Sequence, residues 1–358
     1  MVRVGAYMRS VRLALLSLAL AVVLVACAPG RPAAEVPRAA APSAGAATEA
    51  PPSPAAPVAI AASHGVTSNL IIWLAQEAGL FARNGVTVDL QAINAQVATK
   101  AFVAGQLQGI WVGGAEVLGA RAAGTPITIV GIFAPTYNQL MMVHPTIASV
   151  ADLRGKTIGI ITYPSINGVG TIASLRLFGL EAGRDYRIVE SGSAGVYQGL
   201  ATQLLAGNVD AALLPPDVAR KVGTEGYVEL FDQATLNTSS VSASLAFHSE
   251  FLRDQPATVQ KIVDSLIEGV RYAHEHRAET QDVLRKYFRV TDPTELDLVY
   301  DRLVGQIFAR EPYPSVEQFP DTVEAMARDF PEVRSVDLAA LIDRRFVDDA
   351  VRRGLTRY

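Results

Sequence analysis

The fold is decided by residues 58–91, which read VAIAASHGVTSNLIIWLAQEAGLFARNGVTVDLQ. The segment opens with an apolar run, Val58–Ala62, which favours a buried strand. Leu70–Gly79 follows with helical spacing and ends in glycine, the residue that most often closes a helix. Val86–Gln91 is a second strand pattern. A strand, a helix and a strand in this order are typical of α/β folds with largely parallel sheets.

The same alternation continues along the chain in two series. The first series adds a helix over Val97–Ala104, a strand at Ile110–Val112, a helix over Glu116–Ala123 and a strand at Ile127–Phe133. The second series adds a strand at Thr157–Ile161, a helix over Gly170–Phe178, a strand at Arg187–Val189, a helix over Val196–Ala206, and strands at Val209–Leu214 and Tyr227–Leu230. Beyond His248 the pattern becomes mainly helical, with a long amphipathic stretch from Pro256 to about Tyr287.

An internal similarity links the two series. Val103–Ile110 matches Leu205–Ala212 position by position in character, as a helix end, a glycine, a polar residue and the next strand. The glycine is free to take the left-handed conformation of a helix cap. Two such units at matching places predict two similar lobes.

The N-terminal residues predict export and a membrane anchor. Residues 9–27 read RSVRLALLSLALAVVLVAC. The basic start and the apolar run have the order of a secretory signal, and the run is too short to span a bilayer. Its end resembles the lipobox of bacterial lipoproteins, in which the cysteine is lipidated after cleavage. Cys27 is the only cysteine, so no internal disulfide competes with acylation. We therefore expect a signal peptide over residues 1–26 and an acyl (palmitate) anchor at Cys27, at the extracytoplasmic face of the cell membrane.

The next segment predicts a spacer. Residues 27–57 are mostly Ala and Pro without apolar periodicity, a composition that does not build a core. The body that follows is long enough for one large or two modest domains. The formal net charge of the chain is −4 and no basic tract occurs, which argues against nucleic acid as a partner.

Four segments of the body carry a family resemblance. They are Trp73–Val88, Ala104–Gln108, Ala151–Gly159 and Gly207–Ala212. Their motifs and order resemble those of the substrate-binding proteins of ABC importers, in the branch that includes nitrate, sulfonate, taurine, thiamine-precursor and riboflavin binders. Two positions depart from the family pattern: Gln108 stands where aspartate is usual, and residues 215–217, Pro-Pro-Asp, stand where many members have a Trp-Glu-Pro-like turn.

The resemblance implies a two-lobed α/β periplasmic-binding-protein fold of type II, with a helical C-terminal region. The implied lobes are residues 58–143 plus 246–358 and residues 144–245, so that the second lobe is inserted in the first. The chain would cross between them near Leu140–His144 and Leu245–Ser249. The implied function is non-catalytic and needs no cofactor: a small molecule is captured in the cleft and delivered to an ABC permease and its ATPase.

The site is expected where the strands end, because ligands of open α/β sheets bind there, beside helix N-termini. Seven loops meet this condition: residues 63–69, 93–96, 113–116, 134–139, 162–171, 192–197 and 214–217. They contain no Lys or Arg but several aromatic rings and amides, which suit a flat heterocycle. The candidate ligand-binding residues are Asn69, Asn94, Gln96, Trp111, Tyr137, Asn138, Tyr163, Asn167, Gly168, Thr171, Tyr197 and Asp217. We expect riboflavin or a pyrimidine thiamine precursor as ligand, and Tyr163 and Asn167 at exposed loop positions.

Three alternatives stay open. A sulfonate, taurine or nitrate ligand would bind backbone N–H groups at Asn167–Thr171, where glycines let the main chain approach. A nucleotide-using enzyme is suggested by residues 168–173, GVGTIA, which follow a strand, open a helix and mimic a dinucleotide motif. A sensory receptor would use the same closure as an importer. No hydrolase elbow or zinc-protease spacing accompanies these motifs.

Overall fold

The computed structural model describes residues 56–63, 66–163, 165–192, 196–236 and 238–358. The predicted signal peptide, Cys27 and nearly all of the spacer lie outside these residues. The chain from Pro54 to Tyr358 forms one compact unit. None of the helices in the described part of the chain combines the length and hydropathy needed to cross a bilayer.

Within the described residues, ten strands form two five-stranded sheets. In chain order they are β1 Val58–Ala62, β2 Val88–Ala92, β3 Gly109–Val112, β4 Ile127–Ala134, β5 Leu140–Val143, β6 Thr157–Ile160, β7 Arg187–Glu190, β8 Ala211–Leu214, β9 Val228–Asp232 and β10 Ala243–His248. The first sheet has the order β2-β1-β3-β10-β4 and the second β7-β6-β8-β5-β9. The prediction of an α/β fold with two similar units is confirmed.

The two sheets share one topology. In each, the first strand pairs in parallel with its two neighbours, as β1 does with β2 and β3 and as β6 does with β7 and β8. In the first sheet the antiparallel strand β10 lies between β3 and the edge strand β4. In the second sheet the antiparallel strand β5 lies between β8 and the edge strand β9. Each of these two antiparallel strands is the first that the chain forms after coming from the other sheet.

The predicted positions of the two segments that cross between the sheets are wrong. Residues 140–143 and 243–248 are paired strands, and the chain passes between the sheets at residues 135–139 and 233–242. The sequence did not identify these two short apolar runs as strands, because the strands with which they pair are distant in sequence. The division of the chain into two lobes stays a prediction; its first lobe would end before β5.

The two similar glycine units occupy equivalent places. Gly105 and Gly207 precede β3 and β8 and both adopt the left-handed conformation, with φ of 75° and 71°. The residue just before each following strand also makes the same kind of hydrogen bond. Gln108 Oε1 accepts a hydrogen bond from Ala59 N at 2.9 Å, and Asp210 Oδ2 accepts one from Thr157 N at 2.8 Å. Gln108 therefore accepts the backbone hydrogen bond at a position where the family usually has aspartate. This departure from the family pattern affects the sheet and not the ligand site.

Thirteen α-helices of the described residues surround the sheets. They are α1 Leu70–Glu77, α2 Leu80–Arg83, α3 Ala95–Val103, α4 Gly114–Ala122, α5 Ile166–Leu177, α6 Val196–Leu205, α7 Pro216–Thr224, α8 Ser249–Asp254, α9 Pro256–Glu275, α10 Arg277–Phe288, α11 Pro293–Arg302, α12 Pro320–Met326 and α13 Arg345–Arg352. Helix α5 begins earlier than predicted because Ser165 caps it, its hydroxyl accepting from Gly168 N at 3.1 Å. The long amphipathic stretch is two helices that meet at His276.

The C-terminal helices belong to the core. The apolar face of α9, which includes Ile262, Leu266 and Val270, is buried in one cluster with Ile71 and Leu74 of α1. Helix α12 packs against α4, which follows strand β3 of the first sheet, and against α5, which follows strand β6 of the second sheet. The C-terminal helices therefore pack against helices that begin near the strand ends of both sheets.

Candidate functional site

A small cavity lies where strands of both sheets end. Its volume is about 40 Å³, close to the space one water molecule needs. The lining residues are Val66, Thr67, Ser68, Asn138, Gln139, Ile166, Tyr197, Pro215, Asp217 and Ser242. All but Ser242 belong to the predicted loops, and the segments after β1, β4, β6 and β8 supply most of them. The cavity therefore has the position that the carboxyl ends of α/β strands give to ligand sites.

A hydrogen-bonded chain of three side chains forms one wall. Gln139 Nε2 donates to the Tyr197 hydroxyl at 2.8 Å, and Gln139 Oε1 accepts from Asn167 Nδ2 at 2.8 Å. Tyr197 and Gln139 line the cavity, whereas Asn167 lies behind them. These two hydrogen bonds hold the Tyr197 side chain against Gln139 of the first crossing segment.

Asn167 is buried, and the expectation of an exposed loop position is wrong. Its side chain is 0% exposed in the first turn of α5. Its Oδ1 accepts from Ile161 N at 2.9 Å, and its Nδ2 also donates to Leu213 O at 2.8 Å. The error arose because the helix begins before Asn167, which places the side chain against the sheet.

Two carboxyl groups lie in the first turns of helices that follow strands, and one of them, that of Asp217, lines the cavity. Asp217 lines it from the first turn of α7, after Pro216 at the start of that helix. Glu116 occupies the first turn of α4, which follows a strand of the other sheet. Burial raises the pKa of both carboxyls above the ordinary range, although Lys221 partly offsets the effect at Asp217. The cavity lining among the described residues therefore contains one carboxyl, that of Asp217, and no Lys or Arg.

The electrostatics of Tyr197 connect these two acids. Burial raises the pKa of its phenol, and repulsion by Asp217 and then by Glu116 raises that pKa further. Tyr197 follows a strand of the second sheet on α6, and Glu116 follows a strand of the first.

Several other candidates are used within the fold. Trp111 is 1% exposed, and its indole N–H donates to Asn69 Oδ1 at 3.0 Å. Asn69 in turn donates to the hydroxyl and the carbonyl of Ser63, both at 2.9 Å. Thr171 is buried and donates to Asn167 O at 2.8 Å within α5. These groups support the strand ends, and their predicted contact with a ligand stays a prediction.

The candidate tyrosines outside the cavity face the helical region. Tyr137 is 1% exposed, packs beside α5 and has a buried hydroxyl with no hydrogen-bond partner among the described residues. Tyr163 accepts from Arg328 Nη1 at 2.6 Å, and the guanidinium lies 4.4 Å from the centre of its ring. Both tyrosines thus lie at contacts with other elements.

Asn138 lines the cavity and anchors a second cation. Its Oδ1 accepts from Arg302 Nε. The same guanidinium makes two hydrogen bonds to the Asp232 carboxylate, at 2.6 and 2.5 Å. Because Asn138 lies in the first crossing segment and Asp232 directly precedes the second, Arg302 ties both segments to the end of α11.

The remaining candidates lie apart from the cavity. Asn94 is exposed and caps α3, its Oδ1 accepting from Val97 N at 3.0 Å, and Gln96 is exposed in the first turn of that helix. Gly168 serves close packing, because an added Cβ would lie 2.2 Å from Thr162 O. At Gly170 an added Cβ would meet the Gln233 amide at 2.9 Å and the Tyr137 ring at 3.0 Å. Protein atoms therefore fill the space that a dinucleotide motif would leave for a phosphate.

The candidate residues did not include Gln139 and Ser242, which both line the cavity. Gln139 stood in a predicted loop, and its polar side chain at a strand end was the signal that could have selected it. Ser242 had no such signal, since the return segment was placed several residues too late.

The fold and the cavity define a class. Two α/β sheets of equal topology, joined by two crossing segments with a cavity at their strand ends, form the periplasmic-binding-protein fold. The sequence comparison is more specific: a family model described as NMT1/THI5 like matches residues 67–280, and the chain belongs to this family. No curated protein sequence matches the chain.

Solved structures share the fold at low identity. A sulfonate-binding periplasmic protein of a putative ABC transporter, from Methylobacillus flagellatus, aligns with a TM-score of 0.67 and 18% identity, over 84% of this chain and 95% of its own. The aliphatic sulphonate binding protein of Escherichia coli aligns with a TM-score of 0.65 and 18% identity, over 80% and 92%. The desulfurization enzyme DSZB aligns with a TM-score of 0.59 and 18% identity, over 83% and 99%. Binding proteins and at least one enzyme therefore use this fold.

Proposed function

We propose that this chain is the extracytoplasmic solute-binding component of an ABC importer. An acyl group on Cys27 holds it to the membrane, residues 27–57 act as a spacer, and the folded body captures a small molecule between its lobes. It then delivers the ligand to a permease driven by a separate ATPase. The observation that carries the proposal is the cavity at the strand ends of both sheets.

The small size of the cavity supports a receptor that closes. A volume of about 40 Å³ is well below the roughly 300 Å³ of the smallest common ligand pockets. Ligand entry therefore needs the walls to separate at the crossing segments and to close again, as in hinge-bending binding proteins. Arg302 and Asn138 lie where such a hinge would act.

A heterocyclic ligand agrees best with the lining. Tyr197 offers a ring face, Gln139 and Asn138 offer amides, and the lining residues of the described part include no Lys or Arg. Riboflavin or a pyrimidine thiamine precursor is our proposed ligand. A catalytic role has less support, because the glycines that suggested a nucleotide are covered by Thr162, Gln233 and Tyr137.

A sulfonate, taurine or nitrate receptor is the second candidate. The sulfonate-binding neighbours favour it, and the first turns of α5 and α7 reach the cavity through Ile166 and Asp217. Backbone N–H groups at helix N-termini attract anions without any basic side chain. The Asp217 carboxyl in the cavity lining counts against this candidate.

Thermal unfolding against a ligand panel tests the proposal. The panel holds riboflavin, pyrimidine thiamine precursors, taurine, alkanesulfonates, nitrate and NAD. At 100 times Kd a ligand adds about 2.7 kcal/mol, which corresponds to a shift of about 4 °C for about 300 folded residues. A shift with a heterocyclic vitamin supports the proposal, and one with sulfonates alone supports the second candidate. A shift with NAD alone, or with none of the panel, contradicts both.

A further inference from the structure

A larger space, the α7–α11 groove, lies between helices α7 and α11. Its volume is about 620 Å³, whereas common ligand pockets have roughly 300–1,000 Å³. Ala219 and Gly223 line it from one face of α7, and Glu295 and Leu298 line it from one face of α11. Of the described residues, only Asp217 lines both this groove and the small cavity. The groove is therefore a separate space that is large enough for a small molecule.

The lining of the groove contains a continuous set of apolar side chains. Leu140 and Met142 lie two residues apart on β5, so they share one face of the second sheet. Leu298 is 58% exposed, so most of this large apolar side chain is in contact with water. The Tyr227 hydroxyl donates to Leu204 O at 2.7 Å, which holds its ring in place beside the groove. An apolar molecule in the groove would remove part of this surface from water, which is favourable.

The lining also has more carboxylates than available cations. Three of its charged side chains are already paired with residues outside the groove, at 3.3, 2.5 and 2.6 Å: Arg220 with Asp292, Arg302 with Asp232, and Asp301 with Arg277. Asp217, Glu229 and Glu295 also line the groove and form no ion pair in the described part of the chain. Lys221 lies outside the lining, and it offsets only part of the effect by which burial raises the pKa of Glu295. The charge of the groove is therefore complementary to a cation.

We propose that the α7–α11 groove is a second ligand site, which binds a small organic cation with an apolar body, such as an alkylammonium ion. The apolar body packs on Leu140, Met142 and Leu298, and the ammonium group pairs with the carboxylates of the lining. Charge-assisted hydrogen bonds to carboxylates are among the strong ones, and an aromatic ring such as that of Tyr227 attracts a cation to its face. The inference goes beyond the proposed receptor function and does not depend on it, because the groove and the cavity share only Asp217 among the described residues.

Three probes with the same six-carbon chain separate charge from apolar contact. Hexylamine, hexanol and hexanoate are cationic, neutral and anionic at neutral pH, and each is titrated calorimetrically into the purified protein. The variants are Leu298→Ser and Glu295→Gln, which line the groove but not the cavity. The matched controls are Leu177→Ser, which removes a leucine that is 59% exposed on α5, and Glu190→Gln, which removes an exposed acid on β7. We expect hexylamine to bind most tightly, each groove variant to weaken it about five- to tenfold, and the controls to leave its affinity unchanged.

Several outcomes overturn the inference without touching the receptor function. One is that hexanol or hexanoate binds at least as tightly as hexylamine, and another is that hexylamine does not bind at all. A third is that both groove variants bind hexylamine as tightly as the wild type does, or that the controls weaken it by the same factor. Circular dichroism confirms that each variant is folded, and Glu295→Gln carries the test if Leu298→Ser is not. The ligand panel tests the receptor function separately.

Discussion

Replacing Asn167 by alanine tests whether the wall of the cavity is held from behind. The substitution deletes an amide that is 0% exposed. Three groups lose a partner: Ile161 N, which donates to the amide at 2.9 Å, and Gln139 Oε1 and Leu213 O, which each accept from it at 2.8 Å. An unsatisfied buried polar group costs about 1–3 kcal/mol. We expect a loss of about 3–5 kcal/mol in unfolding free energy.

This loss converts to a measurable change in Tm. The unfolding entropy is about 2.1 cal/mol/K per residue, or about 0.6 kcal/mol/K for about 300 folded residues. Tm should therefore fall by about 5–8 °C in a calorimetric scan. Ligand affinity should fall as well, because Gln139 loses one of the two bonds that orient it toward Tyr197.

Asn94→Ala is the matched control. It removes the same amide from an exposed helix cap with one hydrogen bond, from Val97 N at 3.0 Å. Loss of such a cap costs about 1 kcal/mol, or about 1–2 °C. If Asn167→Ala lowers Tm no more than Asn94→Ala does, the buried network is not what holds the wall, and the reasoning from hydrogen bonds fails.

Three further predictions follow from the site and the termini. Glu116→Gln should raise Tm at neutral pH, because it removes a buried unpaired charge. Burial raises the folded-state pKa above the ordinary 4.5, so the wild type loses stability as the pH rises from about that value through the raised pKa. The Tm difference between wild type and variant should grow over that window in scans at a series of pH values, and a difference independent of pH would contradict this assignment. Arg302→Met leaves the Asp232 carboxylate, which is 19% exposed, without its ion pair and should cost about 2–3 kcal/mol in urea denaturation; a cost below about 0.5 kcal/mol would show that the tie between the crossing segments is weak. Cys27→Ser should move the protein from the membrane fraction to the soluble fraction, and continued retention would refute the acyl anchor.

Much of the fold could be predicted because its signals are local. The strand at Val58–Ala62 was predicted with the bounds that the structure shows, and the glycines at 105 and 207 adopt the predicted left-handed conformation. Apolar periodicity and helix caps depend on neighbours within one or two turns, so a single sequence contains them. The family motifs added the topology, which no local pattern supplies.

The site was predicted only in outline. The loops were identified because strand ends and helix starts can be located from periodicity, and Tyr197, Asp217 and Asn138 do line the cavity. The sequence could not separate these side chains from Asn167, whose amide is turned into the sheet. One residue of difference in a helix turns a side chain by about 100°, which decides between cavity and core.

The sequence by itself determined most of the order of strands and helices and the glycine caps, because each depends on residues close together in the chain. Only the tertiary structure decided that β5 pairs within the second sheet and β10 within the first, and that Gln139 joins Asn167 to Tyr197 by hydrogen bonds. These contacts join residues far apart in sequence. Their free energy therefore depends on which surfaces pack together and on which polar groups find a partner there.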